Sequence, residues 1–141
     1  LILMAVSKTK SKPKAVKKAV KKKDTDSLLK DAIIEGMQEK KAKDIVVIDL
    51  RPLNNSIADY FVICHAESGT QLEAIARSIE EMTYKNAGED ALHVEGKQNG
   101  EWVLLDYSTI VAHVFRQDKR EFFGLERLWA DASIEHIASN Y

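Results

Sequence analysis

The sequence predicts one small α/β domain in which a mixed sheet of about five strands is flanked by helices. Short β-branched apolar runs alternate with longer segments in which apolar residues recur at helical spacing, a pattern typical of this fold class. The chain has 141 residues, of which 45% are hydrophobic and 30% charged, as in a single globular domain. No run approaches the roughly 18 consecutive apolar residues of a membrane span.

The amino-terminal segment differs in composition from the rest of the chain. Residues 1–23 hold nine of the 21 basic residues, all lysines, and no acidic residue. Residues 24–141 therefore carry 12 basic and 22 acidic residues, a net charge of -10. The sequence predicts a disordered lysine-rich tail over 1–23, a folded domain over 24–131 and a carboxyl-terminal extension over 132–141.

The first half of the domain predicts a helix followed by two strands. Asp24–Ser27 supply N-cap candidates, and apolar residues then recur at helical spacing to about Ala42. The runs DIVVIDL (44–50) and IADYFVIC (57–64) are too short for helices and predict two buried strands. Because the connection between the two runs is short and contains the turn residues 54–56, we expect the two strands to pair antiparallel.

The second half predicts a helix, three strands and a short helix. Thr70 and Glu73 have the spacing of a capping box, and the helix is expected to end at Asn86–Gly88. The strands are ALHVEG (91–96), EWVLLDY (101–107) and TIVAHVF (109–115), with a hairpin signal at Asn99 and Gly100 between the first two. TIVAHVF is apolar on both faces, which predicts a central position in the sheet. It is also the last strand that the sequence predicts. Residues 118–130 have short helical character.

Few residues suggest a cofactor site. We expect neither a cofactor nor a bound metal. The chain lacks the glycine-rich phosphate loops of nucleotide enzymes, and its four histidines are scattered. Cys64 and His65 are adjacent on a predicted strand, so they point to opposite faces and cannot readily share a metal. A lone cysteine is also what a protein of a reducing compartment can carry, and no secretory signal is recognisable, so we expect a cytoplasmic protein.

Two strand aspartates leave two interpretations open. Asp49 and Asp59 could hold Mg²⁺ for phosphoryl transfer, because acidic residues at strand ends serve that purpose in many enzymes. Alternatively they cap turns beside Arg51. The absence of a phosphate-binding loop favours the structural role.

The strand EWVLLDY is the most informative segment. With a period of two, Trp102, Leu104 and Asp106 share one face, and Val103, Leu105 and Tyr107 share the other. Either both faces are covered, or the tryptophan, leucine and carboxylate form a binding hot spot for a basic partner. Spacing alone does not decide between these interpretations.

The body of the chain resembles the ribosomal silencing factors, also called the Iojap family. The resemblance is carried by DIVVIDL, SIADYFVIC before SGTQ, HVEG, EWVLLDYSTIVAHVF and REFFGLERLW, and it runs from about Leu28 to Asp131. It implies a fold related to nucleotidyltransferases, no enzymatic role and a homodimer when free. It also implies binding to the fourteenth protein of the large ribosomal subunit, which blocks joining of the small subunit and represses translation when nutrients are scarce.

The resemblance also implies an interface. Trp102, Leu104 and Asp106 match the family's interface positions, and Tyr107 is a further candidate. The lysine tail lies outside the shared pattern, and we expect Lys17, Lys18, Lys21, Lys22 and Lys23 to contact ribosomal RNA through their charge. The competing hypotheses are a Mg²⁺-dependent nucleotidyltransferase-like enzyme using Asp49 and Asp59, and a nonspecific RNA-binding protein acting through the tail.

Overall fold

The computed structural model describes residues 19–53, 57–139 and 141. The elements, in chain order, are α1 (Ala19–Glu39), β1 (Lys43–Asp49), β2 (Tyr60–Ala66), α2 (Gly69–Ala87), β3 (His93–Glu95), β4 (Trp102–Asp106), β5 (Ile110–Arg116), α3 (Gln117–Phe123), α4 (Leu125–Leu128) and β6 (Ser133–His136).

The strands form one mixed sheet with the order β3-β4-β5-β2-β1-β6. The two central strands, β2 and β5, are parallel, whereas the other neighbours are antiparallel. The predicted mixed α/β sheet, the antiparallel β1–β2 pair and the central position of β5 are therefore confirmed. The predicted turn at residues 54–56 lies outside the described residues, and a relation to nucleotidyltransferases stays a prediction.

The prediction that β5 is the last strand is wrong. β6 adds a sixth strand at the sheet edge by pairing with β1, and it lies within the segment expected to be an extension. Beyond it, the Tyr141 hydroxyl donates a hydrogen bond to the carbonyl of Ala42. β6 escaped the sequence pattern because Ile134 is its only half-buried residue, so an edge strand of four residues shows almost no alternation.

Helix α1 begins earlier than the sequence predicts. It starts at Ala19, so residues 19–23 belong to the helix in this structure and Asp24–Ser27 lie inside it. It ends at Glu39 and packs against α2 at Gly36, whose carbonyl accepts a 2.8 Å hydrogen bond from the buried Ser78 hydroxyl. Glycine is required there because a Cβ atom would lie 2.7 Å from the Ile79 Cα.

The amino terminus of α2 is capped two residues before the predicted capping box. Ser68 is the N-cap, and its hydroxyl accepts the Gln71 backbone N–H at 3.1 Å, whereas Thr70 and Glu73 have no such role. The side-chain amide of Gln71 also donates a hydrogen bond to the Lys40 carbonyl at 3.0 Å, which connects the residue after α1 to the start of α2. At the other end, Gly88 adopts a φ of 66° and terminates the helix as predicted.

Both faces of the sheet are covered. One face packs against α1 and α2 and includes Val103, Leu105 and Tyr107. The opposite face includes Trp102 and Leu104 and lies under the carboxyl-terminal segment, from which Leu125 and Trp129 contribute. The division predicted for the apolar side chains is confirmed, and two of the four candidate interface residues, Trp102 and Leu104, lie on the second of these faces.

Candidate functional site

The four residues expected at an interface are all buried. Trp102 is 7% exposed, Tyr107 is 4% exposed, and Leu104 and Asp106 are fully buried. Trp102 and Leu104 lie in the core under the carboxyl-terminal segment, whereas Tyr107 lies in the opposite core against the two long helices. The structure therefore does not bring the four side chains to one open surface, and their interface role stays a prediction.

Trp102 is fixed by a buried hydrogen bond. Its indole Nε1 donates to His113 Nδ1 at 3.0 Å, and because indole can only donate, the His113 proton must lie on Nε2. Burial lowers the pKa of His113 to about 3, so this imidazole is neutral at physiological pH. The Trp102 ring also stacks on that of Phe115, with centroids 4.8 Å apart and an interplanar angle of 28°.

Asp106 caps a turn within the fold. One of its carboxylate oxygens accepts the Ser108 backbone N–H at 2.7 Å, which supports Ser108 at a φ of 76°. The other oxygen, Oδ2, is buried and has no hydrogen-bond partner among the residues that the structure describes. The carboxylate is thus fixed at the strand end, but in this conformation a basic partner cannot reach it.

Tyr107 anchors the strand to α2. Its hydroxyl lies 2.9 Å from the Thr83 hydroxyl, and both side chains are buried. Burial raises the pKa of Tyr107 to about 12, so the phenol stays protonated. Its position on the far face of the sheet makes it part of the scaffold of β4.

Aromatic rings lead from Trp102 to the surface. Phe123 of α3 packs on Trp102 with ring centroids 4.6 Å apart, and Phe122 meets Phe123 edge-on at 5.2 Å. Phe122 is 74% exposed and Phe123 is 38% exposed. We call Phe115, Trp102, Phe123 and Phe122 the aromatic ladder. Its exposed end was not identified as a site from the sequence, because only the pair of adjacent phenylalanines in REFFG signals it.

Asp49 has a structural role. The Arg51 guanidinium bonds both of its carboxylate oxygens, at 2.9 and 2.8 Å, and these bonds lower the pKa of Asp49. The Asp59 backbone bonds to Leu50 and Thr109, which fixes the start of β2. Across residues 25–53 and 57–139, no group of three or more His, Cys, Asp or Glu side chains is placed to hold a metal ion.

The remaining candidate residues are Cys64 and the five lysines of the tail. Cys64 is buried, and burial raises the pKa of its thiol. Lys17 and Lys18 lie outside the described residues, whereas Lys21, Lys22 and Lys23 fall in α1. None of the helices in the described part of the chain combines the length and apolar character needed to cross a membrane.

The chain is similar to named ribosomal silencing factors and to a mouse protein. The family described as "Ribosomal silencing factor during starvation" matches residues 9–140. The ribosomal silencing factor RsfS of Bacillus subtilis is 40% identical over 111 residues, which cover 79% of this chain and 92% of that protein. The mouse protein "Mitochondrial assembly of ribosomal large subunit protein 1" is 30% identical over 74% of this chain and 46% of its own length.

A solved structure agrees with these matches. The crystal structure of a protein from Chromobacterium violaceum superposes with a TM-score of 0.67 and 32% identity, covering 72% of this chain and 83% of that one. The fold, the residues matched by the family and the identity to its named members agree, and the chain therefore belongs to the ribosomal silencing factor family.

Proposed function

We propose that this protein binds the large ribosomal subunit through its fourteenth protein and sterically blocks joining of the small subunit, which represses translation when nutrients are limiting. The family match over residues 9–140 carries the proposal. The name of the mouse relative, which refers to assembly of the large subunit, supports the choice of subunit. The protein acts by occupying a surface, without catalysis, in the cytoplasm.

We place the contact at the exposed end of the aromatic ladder. Phe122 and Phe123 are exposed aromatic side chains, and such residues dominate binding energy when a partner buries them. Trp102 supports Phe123 from beneath, at 4.6 Å. In this arrangement Trp102 contributes to binding through the position of Phe123 and through the 7% of its own surface that remains open.

Leu104, Asp106 and Tyr107 support the interface from within. Leu104 packs in the same core as Trp102, and Asp106 and Tyr107 fix the end of the strand. For Asp106 to meet a basic group of the partner directly, the side chains that cover it must move. A direct contact by Asp106 is therefore a separate proposal from the Phe122 contact.

Charge favours a basic protein as the landing site. Residues 24–141 carry a net charge of -10, which repels bare RNA and speeds association with a basic surface. We propose that Lys17, Lys18, Lys21, Lys22 and Lys23 contact nearby ribosomal RNA. Each phosphate contact steepens the salt dependence of binding, so a tail deletion should flatten it.

The proposal is tested by sedimenting the protein with isolated large and small subunits. We expect it to pellet with the large subunit only. Phe122→Ala should weaken binding by at least about thirtyfold, because hot-spot truncations typically cost about 2 kcal/mol or more. Trp102→Ala should weaken it as well, and Tyr84→Ala, an exposed aromatic residue on α2, is the matched control. Equal pelleting with both subunits would contradict the proposal.

The tail is tested separately. A chain that lacks residues 1–18 and also carries Lys21→Gln, Lys22→Gln and Lys23→Gln loses all five candidate lysines but keeps residues 19–39 of α1, and it should bind large subunits with a flatter dependence on salt. An unchanged affinity and salt slope would remove the tail from the interface. The homodimer expected for the free protein is measured by analytical ultracentrifugation, where a concentration-independent monomer mass would contradict it.

A further inference from the structure

One arginine connects the segment that carries Phe122 to the sheet. The Arg120 guanidinium of α3 binds Glu126 of α4 through two bonds, Nε–H to Oε1 at 3.1 Å and Nη2–H to Oε2 at 3.0 Å. Its Nη1 lies 2.9 Å from His65 Nδ1 at the end of β2. A longer bond of 3.4 Å reaches the carbonyl of Lys43 at the start of β1. Arg120 therefore joins two helices and two strands. We call Arg120, Glu126 and His65 the latch.

Two other charged pairs join α3 to β5 and to the residue before β4, Arg116 with Asp118 at 2.7 Å and Lys119 with Glu101 at 3.9 Å, but both are more exposed than the Arg120 pair. None of the residues of α3 is buried, and Leu125 is the buried residue of α4. Phe123 rests on Trp102 but remains 38% exposed. The Arg120 side chain, by contrast, is only 11% exposed. The bonds of Arg120 are thus the least exposed charged contacts that hold Phe122 and Phe123 over the sheet.

The latch requires an unprotonated imidazole nitrogen. Guanidinium only donates hydrogen bonds, so His65 Nδ1 must accept the Arg120 bond and the His65 proton must lie on Nε2. If Nδ1 were also protonated, the bond would be lost and two cations would lie side by side. An open cavity of about 350 Å³, lined by residues that include His65 and Arg120, gives solvent access to the latch.

We propose that Arg120 is a positioning residue for the Phe122–Phe123 contact surface, and that protonation of His65 releases this positioning. The inference rests on the proposed function for the identity of the surface, but the latch itself is a property of the free protein. The structure thus contains an acid-sensitive connection between the sheet and the segment proposed to meet the ribosome.

The charges around His65 set the direction of this response. Burial and, second, the Arg120 guanidinium from α3 lower the pKa of His65 below its ordinary value of 6.5. Three carboxylates oppose them: Asp44 from β1, Glu67 from the turn after β2, and Glu126 from α4. Because the folded pKa is lower than the unfolded one, the latch is intact above pH 6.5 and is lost as the pH falls through the folded pKa.

Amide hydrogen exchange of the free protein tests the inference. In wild type, protection of residues 117–129 should fall at least about tenfold relative to β5 between about pH 7.5 and pH 5, after correction for intrinsic exchange. His65→Asn keeps a neutral acceptor and should abolish this pH dependence. The same pH dependence in His65→Asn would overturn the role of the imidazole.

Arg120 variants test the positioning role at neutral pH. Arg120→Gln should lower the protection of residues 117–129 at least about tenfold, since it removes charged hydrogen bonds. The double variant Arg120→Gln with Glu126→Gln leaves no unpaired carboxylate at position 126 and should show the same local loss. Arg116→Gln, which breaks only the exposed pair with Asp118, is the control. Unchanged protection in both Arg120 variants would overturn the inference.

Subunit binding separates this inference from the proposed function. If the Arg120 variants lose local protection and also bind large subunits more weakly, both stand. If they lose protection but bind normally, the latch positions a surface that the ribosome does not use, and the positioning role in binding is refuted. If binding weakens while protection is unchanged, the latch is refuted, whatever other part Arg120 plays in binding.

Discussion

A substitution at Gly36 tests the packing of α1 against α2 directly, because the backbones of the two helices meet at this residue. In Gly36→Ala the new Cβ would lie 2.7 Å from the Ile79 Cα and 3.0 Å from the Ser78 carbonyl oxygen. Carbon atoms pack at about 3.5 to 4.0 Å, so the helices must separate by on the order of 1 Å. Backbone atoms line the contact, and no flexible side chain can relieve it.

The cost follows from three contributions. Overpacking a well-packed site costs about 1 to 3 kcal/mol. Separation also lengthens the 2.8 Å bond from the Ser78 hydroxyl to the Gly36 carbonyl, and a buried hydrogen bond contributes about 1 kcal/mol. Alanine regains about 1 kcal/mol of helix propensity over glycine. The expected net loss in the free energy of unfolding is about 2 kcal/mol.

Urea denaturation followed by circular dichroism measures this loss. With a typical slope of about 2 kcal/mol per molar urea, the midpoint of Gly36→Ala should fall by about 1 M. Gly69→Ala is the control, because a Cβ at Gly69 meets nothing within 4 Å. Its change should stay within about 0.5 kcal/mol. A Gly36→Ala protein as stable as wild type would refute the close helix contact.

Two further predictions concern the strands around Trp102. The pKa of His113 is about 3 in the folded protein and 6.5 in the unfolded chain, so the free energy of unfolding should fall by about 2 kcal/mol from about pH 7 to pH 5. Urea denaturation at the two pH values measures this loss, and His113→Gln should remove it. Gly96 has a φ of 92° and its Cβ would lie 1.9 Å from the Trp102 carbonyl oxygen, so Gly96→Ala should lose at least about 3 kcal/mol of stability. Gly100→Ala, with a φ of 67° but open space, should lose only about 1 to 2 kcal/mol, and equal losses at the two glycines would contradict the clash at Gly96.

The sequence predicted the elements whose apolar pattern matches their burial. β1, β2, β4 and β5 are β-branched and apolar runs, and the structure buries them as expected. The edge strand β6 and the start of α1 at Ala19 were missed, because neither carries a clear apolar period. The N-cap was misplaced because Thr70 and Glu73 fit the capping spacing as well as Ser68 and Gln71 do.

The candidate site was less predictable, since its geometry depends on contacts between distant residues. Alternation placed Trp102 and Leu104 on one face of β4, but it gave no sign that the carboxyl-terminal segment would cover them. The pairing of Arg120 with His65 joins residues 55 positions apart, and no local spacing indicates it. The exposure of Phe122 likewise depends on how α3 lies over the sheet.

Subunit joining tests the central claim most directly. Large subunits saturated with the protein are mixed with small subunits, and the formation of joined ribosomes is followed by light scattering. We predict that wild type suppresses joining, that Phe122→Ala needs a higher concentration for the same suppression, and that Tyr84→Ala acts like wild type. Normal joining of large subunits to which the protein remains bound would contradict the account.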